Sequence, residues 1–161
     1  NAFYQATISF TSQNFGAKKK DRINKILFAG QVYVVATGLI LGSLAVFFGK
    51  ELLGIYSTSP EVIAAGMVRL QYICKVYFLC GIMDVFVGAL RGIGYSIMPM
   101  IVSLLGACGL RLLWLATVFQ IPQYHTQDII YLSYPITWVI TFTVHALCYI
   151  WARKQADKKL V

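Results

Sequence analysis

ILFAGQVYVVATGLILGSLAVFFG, residues 26–49, runs for 24 residues without a charged side chain. As an α-helix this stretch measures about 36 Å, against a bilayer hydrocarbon core of about 30 Å. A segment of that length and polarity crosses a membrane with a modest tilt. Three further stretches read the same way. Residues 62–90 carry Arg69, Lys75 and Asp84, and follow Ser59 and Pro60, a cap residue with proline at the first helical position. Residues 96–119 hold one charge, Arg111, and residues 129–151 hold none but include Pro135 and His145. Proline is tolerated inside a span because neighbouring groups satisfy the freed carbonyl. Residues 1–17 are too short and too rich in hydroxyls for a complete span and are expected to be the end of one. The expected fold is therefore all-α, a polytopic membrane helix bundle forming a single partial transmembrane domain over 1–161, with a tail at 153–161.

Composition points the same way. The chain is 58% hydrophobic and 12% charged, with a mean hydropathy of +0.69. Soluble domains carry about a quarter charged residues, so a water-soluble globule of this size is excluded. The connections at 50–59, 91–95 and 120–128 have the lengths of helical hairpins. The chain starts at Asn1 without the charged start and cleavage site of a signal peptide, and is expected to be a piece of something longer.

The net charge of +8 sits at the ends of the apolar segments. A nucleic-acid surface needs its cations spread over one face with exposed stacking aromatics, so nucleic acid is not an expected partner. Lys18, Lys19, Lys20, Arg22, Lys25, Arg91, Arg153, Lys154, Lys158 and Lys159 fall on one side of the four spans, and Lys50 alone on the other. Ten against one places the basic loops and the tail in the cytoplasm.

Ionisable groups inside spans cost several kcal/mol unless water or a partner meets them. Arg69, near the outer end of its helix, reaches the headgroups by extending its side chain. Lys75 and Arg111 each lie about 15 residues from the cytoplasmic end, roughly 22 Å along the axis. Two cations at one depth, with no acid beside them, imply a water-filled cavity, a carboxylate from other helices or an anionic substrate group. The alternative is satisfaction by carbonyls and water at a packing seam. Asp84 is nine residues from Lys75, on the opposite helix face, so the two do not pair. Asp84 is a candidate coupling residue for H⁺ or Na⁺; the competing reading is a contact with Arg91, seven residues on. Tyr77 and Cys80 join Lys75, Asp84 and Arg111 as candidates for a substrate or ion cavity. His145 is expected to be hydrogen-bonded to a neighbour rather than to relay protons.

Gly38 with Gly42, Gly88 with Gly92, and Gly106 with Gly109 mark expected close helix contacts. Cys74, Cys80, Cys108 and Cys148 lie in apolar runs and are expected to be buried small hydrophobes. The five residues between Cys74 and Cys80 fit neither a zinc knuckle nor a redox CxxC pair. HExxH, GxSxG and GxxxxGK[ST] are absent from the sequence. No enzyme, metal site or cofactor is expected.

Two stretches resemble the multidrug and toxic compound extrusion (MATE) family of transporters. Residues 11–29, TSQNFGAKKKDRINKILFA, are similar to a helix end followed by a basic amphipathic segment in that family. Residues 81–111, GIMDVFVGALRGIGYSIMPMIVSLLGACGLR, are similar to its hallmark G-x-LRG-x-G-x-S-x-x-P. The likeness in order and spacing extends over essentially the whole chain. It implies the second lobe of a two-lobe, twelve-helix transporter, from the end of helix 8 through helix 12, with the N-terminal lobe as its missing partner. It also implies alternating-access export of cationic or amphipathic organic compounds against H⁺ or Na⁺. Gly88, Leu90, Arg91, Gly92, Gly94 and Pro99 correspond to the hinge between two helices, and Gln13 and Gly16 to the turn before the basic segment. One departure concerns sodium: where the sodium-coupled subgroup has an acid one turn before the position of Asp84, this chain has Cys80. Two other readings stay open, a flippase for lipid-linked glycans in which Lys75 and Arg111 bind pyrophosphate, and a non-transporting membrane assembly subunit.

Overall fold

A computed structural model describes residues 1–159; residues 160–161 of the expected tail, and the side chain of Lys159, lie outside it. The uncharged run at 26–49 forms most of α2, Lys20–Phe47, a helix of 28 residues. Of these only Ile23 and Gly42 are buried, while Phe28, Tyr33, Ile40 and Leu41 point outward. An apolar helix that leaves most of its large side chains on the outside suits an apolar surrounding, lipid or further helices. α1, Ala2–Gly16, precedes it and turns at Lys18, whose φ of 55° is left-handed. A short α3, Gly49–Gly54, occupies part of the expected 50–59 connection.

The stretch 62–90 is not one straight helix. α4, Pro60–Ile73, starts on an extended Ser59 and a proline as expected. It gives way to a 3₁₀ turn at Cys74–Val76, and α5, Phe78–Gly92, leaves at 43° to it. The next span is also irregular: α6, Ile97–Ser103, passes through a π-helical segment, Leu104–Gly109, into α7, Leu110–Ala116. Two 3₁₀ turns, Val118–Gln120 and Pro122–Tyr124, lead to α8, Gln127–Lys159, which keeps Pro135 inside it. Three helical stretches are long and apolar enough to cross a membrane, and the bent α4–α5 pair makes a fourth.

α5 lies at the centre, packed by α1, α2 and α8. Its Val85, Ala89 and Leu90 are fully buried and join Ile23, Ile93, Tyr149 and Ala152 in the core. Glycine makes this approach possible. A Cβ on Gly88 would stand 2.9 Å from the Tyr4 carbonyl oxygen, and one on Gly92 would stand 2.5 Å from Thr11 Cβ. α1 and α5 therefore run parallel, with Tyr4 beside Gly88 and Thr11 beside Gly92. Gly38 meets Phe78, Gly42 the Cys74 carbonyl, and Gly106 the Thr141 side chain. Gly109 has no neighbour closer than 3.9 Å, so the sixth of these glycines does not mark a close contact. Gly94 turns the chain after α5 at φ +97°, a conformation glycine adopts without strain.

The cysteines correct the expectation of burial. Cys108 is exposed and Cys74, Cys80 and Cys148 are half-buried, all four as free thiols. Apolar runs facing lipid leave a small hydrophobe on the outside as readily as in the core.

Candidate functional site

Breaking the helix at residues 74–77 opens a space beside α2. The bend carries Cys74, Tyr77 and Phe78 against Gly38 and Gly42, where the missing side chains let the backbones close in. Deeper along the same wall, Cys80 and Asp84 follow one another at a spacing of four on one helix face. Together with the start of α1 and the middle of α2 they bound a cavity of about 490 Å³. Its other walls include Asn1, Phe3 and Tyr4 of α1 and Val34, Thr37 and Leu41 of α2. α2 is pinned to α5 next to it by Gln31, whose Nε2 donates to the Ile82 carbonyl at 3.2 Å.

Of the five cavity candidates, the structure brings three together: Tyr77, Cys80 and Asp84 line this space. Lys75 sits exposed in the 3₁₀ turn, and neither it nor Arg111 is part of the lining. Among the described residues Asp84 has no ion pair; the one salt bridge joins Arg153 to Asp157. A carboxylate among phenol rings and apolar walls is chemically a receptor for one cation, inorganic or organic.

The expected contact between Asp84 and Arg91 is not formed. Arg91 instead donates to the Tyr4 hydroxyl and lies over the Tyr4 ring, 5.6 Å from its centroid. The physical reason is direction: helical side chains lean toward the N-terminus, and the parallel α1 places Tyr4 within that reach, short of Asp84. Tyr4 lines the cavity, so Arg91 ties one cavity wall to the end of α5. The other motif residues fall around this joint. Leu90, Gly88 and Gly92 are buried, Pro99 is buried at the start of α6, and Gly94 supplies the turn. Gln13 donates to Ser9 Oγ at 3.3 Å on the exposed side of α1, and Gly16 has open space around it.

Arg111 follows the π-helical segment and packs on α8. Its guanidinium lies 3.8 Å from the Tyr134 ring centroid, one nitrogen donates to Thr137 Oγ1 at 3.4 Å, and Nε is buried without a partner. Tyr134 and Tyr77 each meet Trp138 edge to face at 5.8 Å. A chain of rings thus runs from Arg111 to the cavity wall at Tyr77.

Sequence reading missed one feature. Ser133, Thr137, Thr141, His145, Tyr149 and Arg153 recur at every fourth residue of α8, and all six are buried. Ser133, Thr137 and Thr141 donate to carbonyls of their own helix. His145 Nε2 pairs with Ser103 Oγ at 3.0 Å, the neighbour bond expected of it, while Nδ1 has no partner. Tyr149 donates to Asn24 Oδ1 at 3.0 Å and Arg153 to the Lys20 carbonyl at 2.8 Å. The signal was present as a period of four in hydroxyls and nitrogens, masked by the apolar average of the span.

A search of curated proteins and of solved structures found no match to the chain. The MatE family model matches residues 1–117, from α1 through α7 and the hallmark at 88–99. Residues 118–161, with α8, lie beyond the matched stretch. A match over most of the chain, on a bundle of apolar helices that cross a membrane several times, shows that this multi-pass membrane protein belongs to the MatE family of transporters.

Proposed function

We propose that the protein is a secondary active antiporter that exports cationic or amphipathic organic compounds in exchange for H⁺ or Na⁺, with Asp84 as the group they share. The observation that carries this reading is an acid without an ion pair among the described residues, in a cavity of about 490 Å³, at a broken membrane helix. Ligand pockets for small organic molecules run from about 300 to 1,000 Å³. Broken helices near the middle of a span are where secondary transporters hold substrate and coupling ion.

Exchange follows from exclusion. A carboxylate away from water is costly unless a proton or cation neutralises it, and one carboxylate neutralises one cation at a time. Loading a proton or Na⁺ from one side expels the organic cation, and the reverse holds on the other side. The Tyr4 and Tyr77 rings add attraction for a quaternary or protonated amine, worth about 0.5–2 kcal/mol per ring. In this reading the basic loops and the α8 tail face the cytoplasm, the membrane is the cell (inner) membrane, and no cofactor beyond the coupling ion takes part. The remaining lobe of the two-lobe architecture completes the path. The flippase alternative has less support, because Lys75 and Arg111 do not converge on one space and Arg111 is engaged by Tyr134 and Thr137. A non-transporting subunit would not need an acid beside an open cavity.

The test is efflux of a fluorescent cationic dye from vesicles carrying the full-length protein under an imposed proton or sodium gradient. Gradient-driven export by wild type, lost in Asp84→Asn protein that still purifies as a single species, is the expected result. Full export by Asp84→Asn, or no gradient-dependent export of any dye in a panel, overturns the reading.

A further inference from the structure

We propose that the basic surface where the α1–α2 turn meets the final turns of α8 is a binding site for one anionic phospholipid, separate from the cavity at Asp84. Two stretches more than 130 residues apart in sequence are locked together there. Lys20 Nζ donates to the Asp157 carbonyl at 3.1 Å, Arg153 donates to the Lys20 carbonyl at 2.8 Å, and Arg153 pairs with the Asp157 carboxylate. Arg153 is only 8% exposed, so this clamp is a built part of the fold rather than a surface contact.

The clamp uses up Asp157 and leaves cations free. Lys18, Lys19, Arg22 and Lys25 on one arm and Lys154 and Lys158 on the other are all exposed, with Asp21 as the acid among them. Among the described residues none of the six has an ion pair. On α8 the two lysines sit at the negative end of the helix dipole, but Lys18, Lys19 and Arg22 crowd the positive end of α2, where cations are disfavoured. An anion held between the arms offsets both their mutual repulsion and the α2 dipole.

Hydrophobic surface next to the cations decides between a lipid and a free anion. Phe28 is 71% exposed on α2, one turn beyond Lys25, and Trp151 is 51% exposed on α8, one turn before Lys154. Trp151 is held edge to face by Tyr95 at 5.7 Å, a ring fixed at the level where headgroup meets acyl chain. Cations in a cluster just outside a membrane span, with aromatic and apolar side chains immediately inside it, match a molecule with an anionic head and hydrocarbon tails.

The full-length protein in neutral detergent is titrated with phosphatidylglycerol, with phosphatidylcholine of the same acyl chains, and with inorganic phosphate, reading bound lipid by native mass spectrometry and stability by thermal unfolding. Binding and stabilisation by phosphatidylglycerol alone, weakened by salt, are expected. At about fivefold per cation near a membrane surface, Lys18→Gln/Lys19→Gln/Arg22→Gln weakens binding about 100-fold, and Lys154→Gln/Lys158→Gln about 25-fold. These side chains are exposed, so both variants keep the fold. Equal binding of phosphatidylcholine, the same stabilisation by inorganic phosphate, or unchanged affinity in either variant overturns the proposal. Because the readout is lipid binding and not export, its failure is distinct from failure of the antiport reading.

Discussion

Gly38→Ala tests whether the wall of the cavity is set by backbone contact. The added Cβ would stand 2.8 Å from Phe78 Cβ and 2.9 Å from Phe78 Cα. Carbon atoms in contact prefer about 3.5–4.0 Å, so α2 must retreat from the start of α5 by about 0.7 Å or more. Neither Phe78 atom belongs to a flexible chain end, so a side-chain rotation cannot absorb the clash. Overpacking of this kind costs about 1–3 kcal/mol, here toward the upper part of that range, against about 1 kcal/mol gained from replacing glycine by alanine inside a helix. The net expectation is a loss of about 1–2 kcal/mol, which lowers the unfolding midpoint by roughly 2–8 °C for a chain of this length. Gly54→Ala, at a helical glycine with nothing within 4 Å, isolates the helix contribution and should be neutral or stabilising. Thermal unfolding of the purified variants in one detergent makes the comparison. If Gly38→Ala matches Gly54→Ala in stability, α2 and α5 do not touch at this point and the cavity wall has been misplaced.

The other expectations follow from single contacts. Tyr4→Phe and Arg91→Lys should each destabilise, but in a double-mutant cycle the combined loss should fall about 1 kcal/mol or more short of their sum, because the hydroxyl and guanidinium act on each other; additivity would break the link between α1 and the end of α5. Ser103→Ala leaves His145 without its one hydrogen bond and should cost about 1–3 kcal/mol in unfolding free energy, whereas Ser43→Ala on the exposed side of α2 should cost nearly nothing. Arg111→Lys keeps the charge but loses the planar stack on Tyr134, so a loss of about 1–2 kcal/mol is expected, and an unchanged unfolding midpoint would refute the stacking. A charged, water-soluble thiol reagent should modify Cys80 in the cavity wall before Cys108 among the outward Leu104 and Leu105, and an organic cation should protect Cys80; protection of Cys108 instead would move the site.

What the sequence made legible is what depends on runs and local pattern. The uncharged run at 26–49, the proline after Ser59 and the hallmark at 88–99 each specify something within a helix or its ends, and α2, α4 and the Gly94 turn stand where those signals put them. The glycine pairs anticipated close contact without naming partners, since spacing says which face is thin and not what lies against it. Three things escaped. The break at Cys74–Val76 has no proline or glycine in it, so nothing local announced it; α2 closing its glycines onto Cys74 and Phe78 holds it. The partner of Arg91 was sought on its own helix, at Asp84, because the position of α1 is tertiary information. The fourfold polar series on α8 was visible residue by residue, but hydropathy averaging over 129–151 concealed it.

That series sets α8 apart from α2, which also packs on α5. At the broken stretch α2 makes contact through missing side chains, Gly42 on Cys74 and Gly38 on Phe78, about two turns from the Gln31 hydrogen bond to Ile82, and it leaves its large apolar groups to the outside. α8 instead turns its polar groups inward, where hydrogen bonds tie Thr137 to Arg111 of α7, His145 to Ser103 of α6, and Tyr149 and Arg153 to Asn24 and Lys20 in the first turns of α2. Dispersion contacts between backbones fade within an ångström of separation, whereas a hydrogen bond that breaks away from water leaves a buried group unpaired at about 1–3 kcal/mol. A motion that opens the cavity should therefore separate the Gly38 to Gly42 stretch of α2 from the broken helix and keep α6 and α7 on α8. Arg111 reinforces this asymmetry, since its guanidinium on Tyr134 braces α8 and, through Trp138, the ring of Tyr77 on the cavity's other side. Cysteines placed at 38 and 78 and cross-linked should then block export, while a cross-link between 103 and 145 should leave it intact, and the opposite pattern would reverse the assignment of moving and fixed walls.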